Sequence, residues 1–288
     1  MKTKITIIIG FTLLILSSCI KNNPKPSWIQ IEKWQLEANP LLSGAEGDLI
    51  QGFSEAWVYV DNKVVGVFEL PVKLPILTEG AKEIIIYPAI KKNGIANAKM
   101  IYPFVEPYKM TINLVKGETV NVSPVTRYAS IVNFKFVEDF ESASIKFTTD
   151  PNSNATINQV PHTDPGRTGY CGHIALNQID SIWTGTTHDD MILPKQSAEV
   201  FLEIEYKNTN NILTGVLAIK LPGSVVTHPH IRLNKQTNPV WKKTYIDLKE
   251  IVSFSTSADY FEQFLQMVID PNATSSDVYI DNIKVIHF

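Results

Sequence analysis

The sequence predicts an all-β protein, and three observations carry that reading. Runs such as Ala56-Trp57-Val58-Tyr59-Val60 and Met110-Thr111-Ile112-Asn113-Leu114 alternate apolar and polar residues, at the period of a half-buried strand. Turn residues punctuate these runs at Asp61-Asn62-Lys63, Glu79-Gly80, Lys116-Gly117 and Pro222-Gly223. No segment after the N-terminal apolar run sustains a long helical period, and one short helix is expected around residues 257–265. The composition agrees with a folded chain. Of 288 residues, 44% are hydrophobic and 19% charged, which excludes extensive disorder. A net charge of −3 leaves no basic excess to neutralise phosphates, so no nucleic-acid partner is expected. Two cysteines exclude a disulfide scaffold.

The N-terminus reads as an address. Lys2 and Lys4 precede an apolar run over residues 5–16, followed by Leu16-Ser17-Ser18-Cys19. Twelve positions are too few for a bilayer core, which needs about 20 in a helix, and the pattern fits a secretory signal. Small residues ahead of a cysteine resemble the lipobox of bacterial lipoproteins of the Bacteroidota type. The resemblance implies that residues 1–18 are removed and that Cys19 becomes the acylated N-terminus. Ile20 is not the Asp that resembles an inner-membrane retention signal, so a lipid anchor in the outer membrane is expected, facing either the cell surface or the periplasm. Residues 19–27 then form a tether, stiffened by Pro24-Lys25-Pro26.

Two β modules are expected in the remainder. The first, over residues 28–130, holds Trp57-Val58-Tyr59-Val60-Asp61-Asn62-Lys63-Val64-Val65-Gly66, then Leu70-Pro71, then Glu79-Gly80 before a β-branched strand. That plan resembles the PEGA-type, Ig-like modules of bacterial envelope proteins, which implies a structural or protein-contacting role. The second, over residues 137–288, opens with Glu138-Asp139-Phe140-Glu141 and closes with Val278-Tyr279-Ile280-Asp281-Asn282. This ordered set resembles the jelly-roll β-sandwich of carbohydrate-binding and galactose-binding-like domains.

Candidate site residues follow from chemistry and from those resemblances. Glu141 and Asp281 supply hard oxygen ligands, and in the resembled jelly rolls such positions often hold a structural Ca²⁺. Trp183 lies in the polar stretch Ser181-Ile182-Trp183-Thr184-Gly185-Thr186 and is the candidate sugar platform, a flat exposed ring that stacks on a pyranose. Trp241, Tyr170 and Tyr206 are expected in the core. Cys171, alone once Cys19 is acylated, is expected as a buried inert thiol. His228-Pro229-His230 is expected as a polar loop rather than a metal site. Glu203 and Glu205 share one face of a strand and are expected as an exposed charged face with no catalytic cleft. The functional expectation is a non-catalytic lipoprotein that contacts an outer-membrane protein as an accessory subunit of an uptake, secretion or assembly complex. The alternative expectation is a glycan-binding surface lipoprotein.

Overall fold

The computed structural model describes residues 25–288, so Cys19 and the lipobox lie outside the described residues. Within that span the first half supplies β1 (Ser27–Ile31), β2 (Gln35–Leu36), β3 (Glu55–Val60), β4 (Lys63–Glu69), β5 (Val72–Ile76), β6 (Gly80–Lys91), β7 (Lys99–Ile101), β8 (Tyr108–Leu114), β9 (Thr119–Val122) and β10 (Val125–Thr126). The second supplies β11 (Asn133–Glu138), β12 (Phe147–Thr149), β13 (Ile157–Pro161), β14 (Tyr170–Asn177), β15 (Ile182–Thr187), β16 (Val200–Asn208), β17 (Ile212–Lys220), β18 (Ser224–Leu233), β19 (Lys242–Asp247), β20 (Tyr260–Val268) and β21 (Ser275–His287). One α-helix, α1 (Lys249–Phe254), sits between β19 and β20. The helix expected over residues 257–265 does not form: 257–259 lie in a turn and bend, and 260–265 belong to β20. Among the described residues, no helix is long and apolar enough to cross a membrane.

The first half folds into a main sheet ordered β4-β3-β6-β7, with β8 also on β6, and two small sheets, β5-β1-β9 and β10-β2. The turn between β3 and β4 uses Asp61 and Asn62, both at positive φ, as a tight two-residue hairpin requires. The second half is the expected jelly-roll β-sandwich. One sheet runs β13-β14-β21-β16-β19 with β11 on β21, and the other runs β12-β15-β20-β17-β18. Their facing sides enclose one core, to which β16 gives Leu202, Ile204 and Tyr206, and β21 gives Val278, Ile280, Ile283 and Val285.

The other side of β16 and β21 is covered as well. Phe201, Tyr245 and Ile286 join Phe53, Tyr102, Phe104 and Tyr128 in a second hydrophobic cluster, so the first half packs directly on the outer face of the sandwich. Tyr102 lies 4.7 Å from Tyr245 and edge-on to Phe201 at 5.7 Å. The β6–β7 connection also docks on edge strand β19: Asn93 N–H donates to the Tyr245 carbonyl at 2.8 Å, and Asn93 Oδ1 accepts from Asp247 N–H at 2.8 Å. An edge strand is thereby closed by the neighbouring module.

Candidate functional site

Three polar regions arise from this packing. The first is the seam between the halves. Glu203 is fully buried there and accepts from Tyr102 Oη at 2.6 Å and Tyr128 Oη at 2.9 Å, with Lys243 Nζ at 2.8 Å. Burial opposes ionisation of Glu203, but the charges of Lys243 and Lys284 and these hydrogen bonds outweigh it and hold the carboxyl below its ordinary value. Burial, followed by the charge of Lys243, brings Lys284 down to about 8. Its ammonium donates to the carbonyls of Glu46 and, at 2.7 Å, Asp48. Buried pairs of this kind are costly to break, and here each partner comes from a different strand or module.

The second region lies beside the seam on the same sheet face, beneath the β13–β14 connection. Arg167 from that connection grips Glu205 bidentately, at 2.6 and 3.3 Å, and stacks its guanidinium 4.3 Å from the Trp241 ring centre. Trp241 Nε1 donates to Asp164 at 2.9 Å, and Lys207 closes on the same carboxylate at 2.7 Å. Asn282 donates to Glu205 at 2.9 Å, and His162 Nε2 lies 2.9 Å from Asp281. Burial pushes the Asp281 carboxyl up to about 8, and it lowers His162, with the Arg167 charge second. This connection plugs the sheet face that the first half leaves open.

The third region is open. Along one side of the sandwich, between edge strands β18 and β19, runs a groove of about 660 Å³. Tyr206, itself buried, lines it from within. Its sides carry Arg232, Asn234, Asn238 and Lys242, and the Asn93–Ile95 segment of the first half flanks it. His230 Nε2 is tied to the Asp247 carbonyl at 2.9 Å. Gln236 is tied to Asn208 at 3.0 Å.

No family model matches the chain, and no curated protein matches it. Similar solved structures include the enzymatically active domain of bacteriophage CBA120 tailspike protein 4, at 14% identity and TM-score 0.39 over 52% of this chain. This chain spans 20% of that tailspike chain. A structure of carbohydrate-binding modules from the β-sandwich superfamily matches at 14% identity and TM-score 0.38, over 82% of this chain and 87% of its own. The C-terminal family 22 carbohydrate-binding module of Clostridium thermocellum Xyn10B matches at 8% identity and TM-score 0.37, over 53% and 91%. At such values the likenesses carry nothing about a ligand, and the site stands on its own residues.

Trp183 is no platform: it has no exposed surface, and its Nε1 donates to Thr149 Oγ1 at 3.2 Å. Trp183, Gly185 and Thr187 share the inward side of β15, while the residues that made the stretch look polar alternate outward. Gly185 makes room for the ring, since a Cβ there would come within 2.4 Å of it. Trp241 is half-buried in the polar cluster rather than in the core, and Tyr170 is 45% exposed.

Glu141 and Asp281 do not fit a shared Ca²⁺. Glu141 accepts the Tyr170 N–H at 2.7 Å, and Asp281 faces His162 with the Arg167 guanidinium at 3.9 Å, a neighbour that repels a cation. Among the described residues no group of three or more His, Cys, Asp or Glu side chains is placed to hold a metal. Glu203 and Glu205 are buried, not exposed, because the first half and the β13–β14 connection cover their face. His228-Pro229-His230 lies within β18 rather than a loop. Cys171 is buried as expected, and burial pushes its thiol up to about 12. The groove itself was missed. Its signal is the amide- and lysine-rich run Asn234-Lys235-Gln236-Thr237-Asn238 between two edge strands.

Proposed function

We propose that this protein is a non-catalytic glycan-binding lipoprotein that holds a polysaccharide in the groove between β18 and β19. The observation that carries the reading is the groove itself, a cleft of about 660 Å³ lined by polar side chains and open to solvent along one side. Side-chain amides offer a donor and an acceptor together, which matches the hydroxyls of a sugar. Asn234 and Asn238 have no side-chain partner among the described residues and are free to do this. Binding without catalysis is supported by the carboxylates. Glu203 and Glu205, the closest carboxylate pair on one strand, are each locked in a buried ion pair and cannot reach a substrate.

The test is retention of the purified protein on a panel of neutral and acidic polysaccharides. Replacing both Asn234 and Asn238 by Ala should weaken retention by about tenfold, the equivalent of one or two hydrogen bonds, with an unchanged melting temperature. No retention on any member would overturn the reading. The anchor is tested separately, since Cys19→Ala should release the protein from the membrane fraction, and persistent attachment would overturn lipidation.

A second reading, an accessory subunit that docks on an outer-membrane protein, is supported by β18. It ends its sheet, exposes Val225 and Val226, and lies near Phe254, which is 82% exposed. Cross-linking at Val226 that captures one membrane protein, together with no glycan retention, would favour it.

A further inference from the structure

Resting on the glycan reading of the β18–β19 groove, we infer that the ligand is an acidic polysaccharide, one that carries uronate carboxylates. The groove contains no aspartate or glutamate among its lining residues, on a chain whose net charge is −3. It contains Arg232, Lys235 and Lys242. Lys235 is neutralised by Asp270 at 2.5 Å. Arg232 and Lys242 are exposed and have no carboxylate within ion-pair distance among the described residues, so the groove's lining carries two uncompensated cations. Three aspartates bonded to residues in or next to the lining are already taken. Asp247 is paired with Lys92, Asp164 with Lys207, and Asp270 with Lys235.

Arg232 also lines a second cavity of about 380 Å³, with Leu213, Gln266 and Asp270, the last already paired with Lys235. Arg232 therefore stands on the ridge between two clefts, where a polymer that runs along both would pass it. A guanidinium presents a planar fork that pairs bidentately with a planar carboxylate, whereas a neutral hydroxyl uses only one of its donors. The free amides of Asn234 and Asn238 beside it suit the ring hydroxyls that flank each carboxylate.

The experiment compares three ligands on the purified protein: polygalacturonate, its fully methyl-esterified form, and sulfated dextran. The ester keeps the backbone and removes the charge. Polygalacturonate should be retained, with retention falling as salt rises, because exposed ion pairs are screened within about 10 Å at 0.1 M. The ester should bind at least about tenfold more weakly, and Arg232→Gln with Lys242→Gln should reduce polygalacturonate binding by a similar factor. Both side chains are exposed, so the melting temperature should not move.

Equal retention of the acid and its ester would overturn the inference and leave the groove as a neutral-glycan site. Retention of sulfated dextran alone would overturn the carboxylate assignment. Unchanged affinity in the double variant would overturn the placement. Retention of none of the three ligands, nor of any polysaccharide in the wider panel, would take down the glycan reading as well.

Discussion

Burial shifts the Asp281 carboxyl upward against the Asn282 N–H bond and the Arg167 charge, and that has a measurable signature. The carboxyl is pushed up to about 8 from an ordinary 3.8. Between those values the folded chain carries a proton that the unfolded chain has lost, so this group's contribution to stability falls as pH rises and levels off above about 8. His162 works the other way over a narrower window, because its lowered value makes stability rise with pH just below 6.5. Asn mimics the protonated acid: its carbonyl can accept from Asn282 N–H and its amide can donate to His162. Asp281→Asn should therefore match the native protein near pH 4 and become progressively more stable than it up to pH 8. The relative slope is at most about 1.4 kcal/mol per pH unit. Parallel denaturation curves at every pH would show that Asp281 is ionised in the fold. The tryptophans give a second contrast at this scale. Trp183→Ala should cost roughly 3–5 kcal/mol, as for a buried aromatic. Trp241→Ala should cost about 1–2 kcal/mol, the loss of a cation–π stack and one hydrogen bond.

Strands were legible in this sequence where one face met water, and misleading where both faces were covered. β8 alternates cleanly and β3 does so from Ala56 onward, and their positions follow from the pattern alone. In β16, Leu202-Glu203-Ile204-Glu205-Tyr206 alternates too, so Glu203 and Glu205 read as solvent-facing. What covers them comes from residues 100 or so positions earlier and from a hairpin connection, and no local pattern reports that. β20 failed for a different reason. Phe261, Phe264 and Leu265 mimic helical spacing, while Gln263 interrupts the inward row of Phe261, Leu265 and Met267. The structure resolves the conflict by pairing β20 with β15 and β17 and by giving the buried Gln263 amide the carbonyls of Gly215 and Phe264. The groove was illegible because its two walls belong to different sheets. At this scale Asn93 is the test of the docked connection. Asn93→Ala removes the acceptor for Asp247 N–H and should cost about 1 kcal/mol, with hydrogen exchange at Asp247 accelerating while β17 and β20 stay protected. Unchanged exchange at Asp247 would show that the contact contributes nothing in solution.

At the scale of the whole molecule, the two halves depend on one another in a way that two independent modules would not. The outer face of the sandwich presents Phe201, Tyr245 and Ile286 to the first half and receives Phe53, Tyr102, Phe104 and Tyr128 in return. Between these rings sit Glu203, Lys243 and Lys284, whose partners include Tyr102, Tyr128 and the carbonyls of Ile50, Glu46 and Asp48. Removing the first half would expose the aromatic face to water and strip those charges of their partners at the same time. Unfolding of one half should therefore drag the other with it. Calorimetry on the full chain should give a single transition, with calorimetric and van't Hoff enthalpies equal. Tyr102→Phe with Tyr128→Phe leaves Glu203 without two donors and should lower that one transition rather than split it, by about 1–3 kcal/mol for each lost bond to a buried charge. Two resolved transitions in the native chain, with only the lower one moved by the double variant, would mean that the seam joins modules that are stable alone.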